Sequence, residues 1–142
     1  MKKTVVLLSI VSILPLSSMA SSFSCNDFEA THTRLLSCNV AERNERFCVL
    51  KDSSDNRIAV AVINEESASV TWTFKSVKRT SDKLVAHDRD LFGLNRYDVK
   101  LELNVDDSGD FANGSYEEDL VRNDYVGDRS HSTYSATLKN CQ

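Results

Sequence analysis

Strict alternation of apolar and polar residues constrains the fold of this chain more than any other feature of its sequence. Residues 97–105 read Tyr-Asp-Val-Lys-Leu-Glu-Leu-Asn-Val, an unbroken alternation. Successive side chains of a β-strand point to opposite faces of a sheet, so this segment predicts a strand with one buried and one solvated face. Half-buried strands of this kind are typical of antiparallel sheets.

Other segments show the same period of two. Residues 69–75 and 133–139 alternate in this way, and residues 57–63 are apolar on both faces, which predicts a central strand. Turn-forming residues separate these runs at positions 53–56, 64–66, 80–82 and 107–110. The spacing predicts a mainly β fold, in which a small antiparallel meander either closes into a calycin-like barrel or folds into a sandwich.

The region before residue 53 is compatible with two structures. Residues 35–52 fit a hairpin that turns around Asn44, which we favour, with one short helix at residues 26–34. The alternative is a helical stripe formed by Phe28, Leu35, Leu36 and Val40.

A basic start and a short apolar run mark the amino terminus. Lys2 and Lys3 precede the apolar residues 5–16, and Ser18-Met19-Ala20 follows. This order is typical of a secretory signal peptide, so we expect cleavage after Ala20 and a single domain over residues 21–142. The run is shorter than the roughly 20 residues of a spanning helix, so no stable membrane insertion is expected. We expect a periplasmic or secreted bacterial protein.

The four cysteines all follow the predicted cleavage site. An even number of cysteines in an exported chain predicts two disulfides, and four cysteines allow three pairings. We favour a local Cys38–Cys48 bridge together with a Cys25–Cys141 bridge that joins the two ends of the domain. A zinc site is disfavoured, because no C-x-x-C pair is present and the compartment is oxidising.

Charge is unevenly distributed along the chain. Removal of residues 1–20 takes away two lysines and no acid, so 15 basic residues face 21 acidic ones and the net charge is −6. A nucleic-acid partner is therefore not expected. Residues 75–100 carry a net charge of +3 and residues 102–128 a net charge of −8. Some of these charges are expected to pair across strands, and the surplus of acid predicts an acidic surface that attracts a basic partner.

The segment NVDDSGDFANGSYEED, residues 104–119, contains the densest group of acids. Asn104, Asp106, Ser108, Gly109 and Asp110 match the first half of an EF-hand calcium loop, but position twelve is a serine instead of glutamate. We therefore predict a hairpin turn without a metal ion. Its exposed polar residues are our candidate binding residues: Asp106, Asp107, Ser108 and Asp110.

Candidate catalytic groups are few. The histidines, His32, His87 and His131, share no motif, and the cluster His87-Asp88-Arg89-Asp90 is the densest ionisable group outside residues 104–119. Such a cluster can hold a metal or act as a general base. Its alternating charges instead favour a solvated loop between strands. We assign no catalytic residue, no metal ligand and no cofactor.

The carboxyl-terminal third resembles a known inhibitor family. Ser108-Gly109, Gly114-x-Tyr116 and the ending Leu-Lys-Asn-Cys-Gln are similar to the final third of the small periplasmic inhibitors of C-type lysozyme. The resemblance implies an antiparallel barrel with a terminal disulfide, whose Ser-Gly loop enters the lysozyme cleft. It covers residues 108–142 and departs at residues 117–120, where Glu-Glu-Asp-Leu replaces the family's Trp-x-Lys-Gly.

We therefore expect an exported, non-enzymatic protein-binding module of the inhibitor or immunity type. Its partner is expected to be another protein with a basic surface, such as a lysozyme-like hydrolase. Two other classes stay open. A small metal-dependent hydrolase would use His87, Asp88 and Asp90, and a small-ligand carrier would place Trp72, the only tryptophan, inside a barrel.

Overall fold

A computed structural model describes residues 22–142 and confirms a mainly β fold. A short 3-10 helix, Cys25–Phe28, precedes the strands. Nine strands follow: β1 (His32–Val40), β2 (Arg46–Asp52), β3 (Ile58–Ile63), β4 (Ala68–Phe74), β5 (Val77–Arg79), β6 (Lys83–Phe92), β7 (Asn95–Val105), β8 (Phe111–Asn123) and β9 (Arg129–Lys139). Within this range no helix is long and apolar enough to cross a membrane. The predicted signal peptide lies outside the described residues.

The strands form one antiparallel sheet in the order β4-β3-β2-β1-β9-β8-β7-β6-β5. Two meanders, β1 to β4 and β5 to β9, are joined where β1 pairs with β9. That junction is short, because it pairs Asn39 with Lys139 and Val40 with Leu138. Packing across the inner face and the contacts of residues 141 and 142 with β1 therefore help to hold the two meanders together.

The main core lies on the inner face, around which the sheet wraps. The ring of Phe74 in β4 lies 6.5 Å from that of Tyr116 in β8, although four strands separate β4 from β8 in the sheet. After the end of β4, the backbone N–H of His87 in β6 donates to the carbonyl oxygen of Ser76 at 3.1 Å, which extends the β5–β6 ladder by one residue.

The alternating segments lie where the sequence predicts them. Residues 97–105 lie in β7, whose inner positions Val99, Leu101 and Leu103 are fully buried. β3 is buried on both faces, as its apolar composition predicts. The hairpin around Asn44 is confirmed by the pairing of β1 with β2, whereas the helix before it is shorter than the predicted 26–34.

The disulfide pairing differs from our prediction. Cys25 bonds to Cys48 and Cys38 bonds to Cys141, so the predicted bridges Cys38–Cys48 and Cys25–Cys141 are wrong. Cys48 lies opposite Ser37 in the β1–β2 ladder, whereas Cys38 lies opposite Phe47. This offset of one residue sends the two sulfurs to opposite faces of the sheet.

Each disulfide belongs to a different core. Cys38 and Cys141 lie in the inner core. Cys25 and Cys48 lie in a smaller outer core with Leu50, Ala59, Ala61 and Ile63, against which Phe28 of the 3-10 helix packs. The amino-terminal segment is thereby fixed over the outer face of β2 and β3.

The cluster of residues 87–90 is also different from our prediction, because it lies within β6 and not in a loop. Asp88 pairs with the buried Val99 of β7, and His87 and Arg89 pair with Lys100 and Asp98. The alternation of charge is thus the period of a strand, which divides the acids from the bases between its two faces.

Candidate functional site

The predicted binding residues form the β7–β8 turn, which we call the acidic turn (residues 106–110). The Oδ1 atom of Asp106 accepts hydrogen bonds from the backbone N–H groups of Ser108 at 2.9 Å and of Asp110 at 3.1 Å. Gly109 has a φ of +86°, which favours glycine. The structure therefore confirms a hairpin turn, in which one carboxylate stabilises the backbone and the other two are solvated.

Metal binding finds no support at this turn. Among residues 22–142, no group of three or more His, Cys, Asp or Glu side chains is arranged to hold a metal ion. Asn104, the first position of the calcium pattern, instead donates its side-chain amide to Asn113 Oδ1 across the strands at 2.8 Å.

The opposed charges of the β6–β7–β8 region partly pair, as the sequence predicts. Glu102 Oε2 lies 3.1 Å from Lys100 Nζ, and its Oε1 atom lies 3.5 Å from Lys83 Nζ. Arg96 Nη2 lies 3.7 Å from Asp119 Oδ2. These solvent-exposed pairs each contribute little to stability.

Two of the histidines bind aspartates on the outer face. His87 Nε2 lies 2.7 Å from Asp98 Oδ1, and Arg89 Nε donates to Asp98 Oδ2 at 2.8 Å. The hydrogen bonds from His87 and Arg89 hold the pKa of Asp98 below its usual value. His131 Nε2 lies 2.6 Å from Asp119 Oδ1. His87 and Asp88 therefore make separate contacts, and the Asp88 carboxylate accepts hydrogen bonds from another part of the sheet.

Asp88 in β6 joins that strand to β4 and to the segment that follows β4. Its carboxylate accepts hydrogen bonds from the backbone N–H groups of Lys75 at 3.1 Å and Ser76 at 3.2 Å, and from Trp72 Nε1 at 3.2 Å. These donors occupy both of its oxygens. Asp88 therefore positions the indole of Trp72 and the end of β4, which is a structural role.

An aromatic cleft lies beside this junction. The rings of Trp72 and Tyr97 are 5.0 Å apart and inclined at 60°, and the cavity that they line has a volume of about 560 Å³. The Tyr97 hydroxyl donates to Asp90 Oδ2 at 3.4 Å. Burial raises the pKa of Tyr97, and the charges of Asp90 and Asp88 raise it further. We call this cavity, bounded by Trp72, Tyr97, Asp88 and Asp90, the aromatic cleft.

The end of the molecule opposite the acidic turn carries exposed apolar side chains. The β6–β7 and β8–β9 hairpins both turn there, and Asn123 joins them by donating its backbone N–H to Asn95 Oδ1 at 3.1 Å and its side-chain amide to the carbonyl oxygen of Leu94. We call the exposed residues of the two turns the apolar end: Leu91 (73% exposed), Phe92 (73%), Leu94 (51%), Tyr125 (99%) and Val126 (89%).

The apolar end continues into the aromatic cleft. A second cavity, of about 420 Å³, is lined by Phe92 together with Trp72 and Tyr97. Leu120 lies on the same wall. Phe92 therefore connects the apolar end to the aromatic cleft. β7, with its 11 residues, separates the β6–β7 turn from the acidic turn by about 35 Å.

A further group of polar side chains lies between the β1–β2 turn and β9. Tyr134 donates to Glu45 Oε2 at 2.7 Å, Arg43 Nε donates to the same oxygen at 2.9 Å, and the guanidinium of Arg43 lies 4.5 Å from the centre of the Tyr134 ring. Burial and the bond to Glu45 raise the pKa of Tyr134 to about 12. These contacts attach the β1–β2 turn to β9.

Sequence reasoning missed the apolar end. Its residues lie in or beside turns, where no periodicity distinguishes an exposed apolar residue from a buried one. The available signal was the position of the pairs Leu91-Phe92 and Tyr125-Val126 next to Gly93 and Gly127, which mark turns.

Comparisons with models of protein families, with curated proteins and with solved structures find no match to this chain. The similarity of residues 108–142 to lysozyme inhibitors is therefore a hypothesis about that segment alone.

Proposed function

We propose that this protein is an exported, non-enzymatic binding module of the inhibitor or immunity type, and that its apolar end contacts a partner protein. The observation that carries the proposal is the exposure of five large apolar side chains on two hydrogen-bonded hairpins. Large apolar side chains exposed together at one end of a molecule typically mark an interaction site.

The surroundings of the apolar end support a protein partner. Arg96 and Arg122 line the cavity beside Phe92, and Asp124 and Asp128 lie in the β8–β9 turn. An apolar centre with a polar, charged rim is the usual anatomy of a protein interface. The aromatic residues Phe92 and Tyr125 are of the type that dominates interface energetics.

The hydrolase alternative has less support. His87 is bound to Asp98 on the outer face, whereas the carboxylate of Asp88 is occupied by Trp72 and two backbone N–H groups. A general base must lie within hydrogen-bond reach of its substrate, in a site that it shares with the other reacting groups. The acids and the histidine that the sequence placed together thus serve separate contacts.

Export agrees with the cysteine chemistry. Cys25–Cys48 and Cys38–Cys141 account for all four cysteines of the chain. Disulfides persist in oxidising compartments, and two of them in a small domain are consistent with a periplasmic or extracellular location.

Differential affinity capture tests the proposal. The oxidised protein is immobilised, exposed to periplasmic and secreted bacterial proteins, and compared with two variants of the same chain. The first combines Leu91→Ser, Phe92→Ser, Tyr125→Ser and Val126→Ser, and the control combines Asp107→Asn with Asp110→Asn at the acidic turn. We expect a partner that the wild type and the control retain and that the first variant loses.

Mass spectrometry identifies the retained proteins. A partner retained equally by the apolar-end variant, or lost only by the acidic-turn control, would contradict the proposal and return the contact to the acidic turn. Circular dichroism of both variants establishes that a loss of capture does not reflect unfolding.

A further inference from the structure

We propose that two copies of this chain form a dimer through the free edge of β4, which pairs antiparallel with the same strand of the second copy. The contact uses residues 65–75, which we call the β4 edge segment. These residues are distinct from those of the apolar end, so the dimer does not depend on the proposed protein partner.

β4 is an edge strand, and one side of its backbone lacks a ladder partner. Within residues 22–142, β4 pairs only with β3, and no group outside that pairing bonds to the backbone of residues 68–73. Alternate residues of an antiparallel strand direct their N–H and C=O groups to opposite sides, so about half of these groups in β4 point away from β3. Such a row of free donors and acceptors is a template for a further strand.

Asp88 marks the end of the free part of this edge. Its carboxylate accepts the backbone N–H groups of Lys75 at 3.1 Å and Ser76 at 3.2 Å. Before this point, residues 69–71 of β4 are exposed, and Val70 is 39% exposed. The middle of β4 is therefore open to a second strand, whereas the backbone that follows β4 is already bonded.

The two edge strands of the sheet differ in their protection against pairing. β5, at the other edge, has three residues, of which Lys78 and Arg79 are exposed bases. Short length and positive charge are common protections of sheet edges. β4 has seven residues, Ala-Ser-Val-Thr-Trp-Thr-Phe, with no charge and a high β-propensity. Its one protection is a bulge at Thr71, where the register with β3 shifts.

The charges that flank β4 identify a second copy as the partner. Glu65 and Glu66 precede the strand, and Lys75 follows it. All three side chains are exposed, and none forms an ion pair within 4.0 Å in the part of the chain that the structure describes. A strand that is acidic at one end and basic at the other is complementary to an antiparallel copy of itself.

The register of the dimer follows from a two-fold axis at Val70. Glu65 and Lys75 each lie five residues from Val70, so Glu65 of one copy lies opposite Lys75 of the other. The bulge at Thr71 shifts this register by one residue, which places Glu66 there instead. In either register an acid faces a base at both ends of the paired strands. Opposite charges on facing strands stabilise a sheet.

Pairing about a two-fold axis limits the size of the assembly. The same edge is used by both copies, so each dimer leaves no free β4 edge and association stops there. Stable protein interfaces bury at least about 1,200 Å², and two seven-residue strands provide a small contact. We therefore expect a weak, reversible dimer that is populated at high protein concentration.

Sedimentation velocity of the oxidised protein over a range of concentrations tests the dimer. We expect a reversible monomer–dimer equilibrium without larger species. Hydrogen–deuterium exchange at the same concentrations should become slower in residues 68–73 as the dimer forms. A protein that stays monomeric at millimolar concentration, assembles beyond a dimer, or dimerises without protection of residues 68–73 would overturn the proposal.

Lysine variants locate the contact. Val70→Lys places two like charges opposite each other at the two-fold axis, and we expect the dissociation constant of the dimer to rise about tenfold. The matched control, Leu35→Lys, changes an exposed apolar residue of β1 and should leave the constant unchanged. Val126→Lys tests association through the apolar end. A loss in Leu35→Lys or Val126→Lys as large as that in Val70→Lys would overturn the assignment to β4.

Charge exchange tests the antiparallel arrangement with variants whose changes lie outside β4. Lys75→Glu and the double variant Glu65→Lys/Glu66→Lys should each weaken the dimer about threefold or more, since each places like charges opposite one another. Their combination in one chain should restore the affinity, because it recreates the attraction with the signs reversed. These differences should shrink at high salt. A combined variant that dimerises no better than the weaker of its two parents would overturn the antiparallel pairing.

Discussion

The acidic and apolar ends of the long hairpins are stabilised in different ways. At the acidic end, Cys141 is bridged to Cys38, and its backbone N–H donates to the carbonyl oxygen of Ala112 at 3.2 Å. Gln142 and Ser37 exchange two backbone hydrogen bonds of 2.7 and 2.9 Å. At the apolar end, the two turns are joined through Asn123, and their large side chains face solvent.

This contrast indicates that the two ends of the sheet have different roles, one in stability and the other in binding. The Cys38–Cys141 disulfide, the hydrogen-bonded turn at residues 106–110 and the pairing of Gln142 with Ser37 stabilise the acidic end. The apolar end leaves its hydrophobic surface unburied, which costs free energy in water unless a partner covers it. Changes at the acidic end should therefore alter stability, and changes at the apolar end should alter binding.

The largest effect is expected from the disulfide at the acidic end. The Cys38–Cys141 bridge closes a loop with a sequence separation of 103, and the Cys25–Cys48 bridge one of 23. In the chain-entropy model these loops contribute about 4.7 and about 3.4 kcal/mol. Urea unfolding should show a greater loss for the double variant Cys38→Ala/Cys141→Ala than for Cys25→Ala/Cys48→Ala. The opposite order would contradict the ranking of the two bridges by loop length.

Gly114 should show the next largest effect. A Cβ atom at this position in β8 would lie 2.1 Å from the carbonyl oxygen of Glu102, which is too close for any real contact. Gly114→Ala must therefore displace β7 or β8, and we expect a loss of about 3 kcal/mol in the free energy of unfolding. Asn113→Ala, the neighbouring control, should lose less than about 1 kcal/mol. A loss for Gly114→Ala as small as the loss for Asn113→Ala would show that β7 and β8 can move apart without a measurable cost in stability.

Phe92→Ser and Val126→Ser change exposed side chains of the apolar end. Both side chains are exposed, so their replacement should change the free energy of unfolding by no more than about 0.5 kcal/mol. Loss of affinity for the captured partner should be much larger, about 2 kcal/mol for an interface hot spot. Unfolding and binding measured on the same samples separate the two effects, and a stability loss of hot-spot size would show that these residues serve folding.

The smallest effect concerns the Tyr134–Glu45 contact, which lies between the two ends. Burial raises the pKa of Glu45, but the hydrogen bonds from Tyr134 and Arg43 outweigh it and the net shift is downward. A carboxyl with a lowered folded pKa adds stability above its unfolded pKa, about 4.3, and loses it as the pH falls through the folded value. The wild type should be more stable than Glu45→Gln by about 0.5 kcal/mol at pH 7, and the difference should shrink as the pH falls below about 4.3 and vanish below the folded pKa. A difference that persists in acid would exclude the charge as its cause.

Much of the fold could be predicted because period-two alternation is a local property. Residues 97–105 show it without a break, and they lie in β7 as predicted. The turn at residues 107–110 was predictable for the same reason, since Asp, Ser and Gly have strong local preferences. The cluster of residues 87–90 has the same period of two, but bases and acids alternate there instead of apolar and polar residues. The sequence pattern therefore favours a solvated loop, and the strand is missed.

The disulfides and the candidate site depend on the wrapping of the sheet, which is not local. Cys38 and Cys48 are neighbours in a hairpin, yet one residue of register places them on opposite faces. Trp72 and Tyr97 lie in strands with five others between them in the sheet order. No spacing in the sequence predicts their contact, because it depends on the curvature of the whole sheet.

Hydrogen–deuterium exchange of the captured complex tests the division between the two ends most directly. We predict slower exchange on binding in the turns of the apolar end, residues 92–95 and 124–128, and unchanged exchange in the acidic turn, residues 106–110. Protection confined to residues 106–110 would contradict it, since the partner would then contact the stabilised end of the molecule.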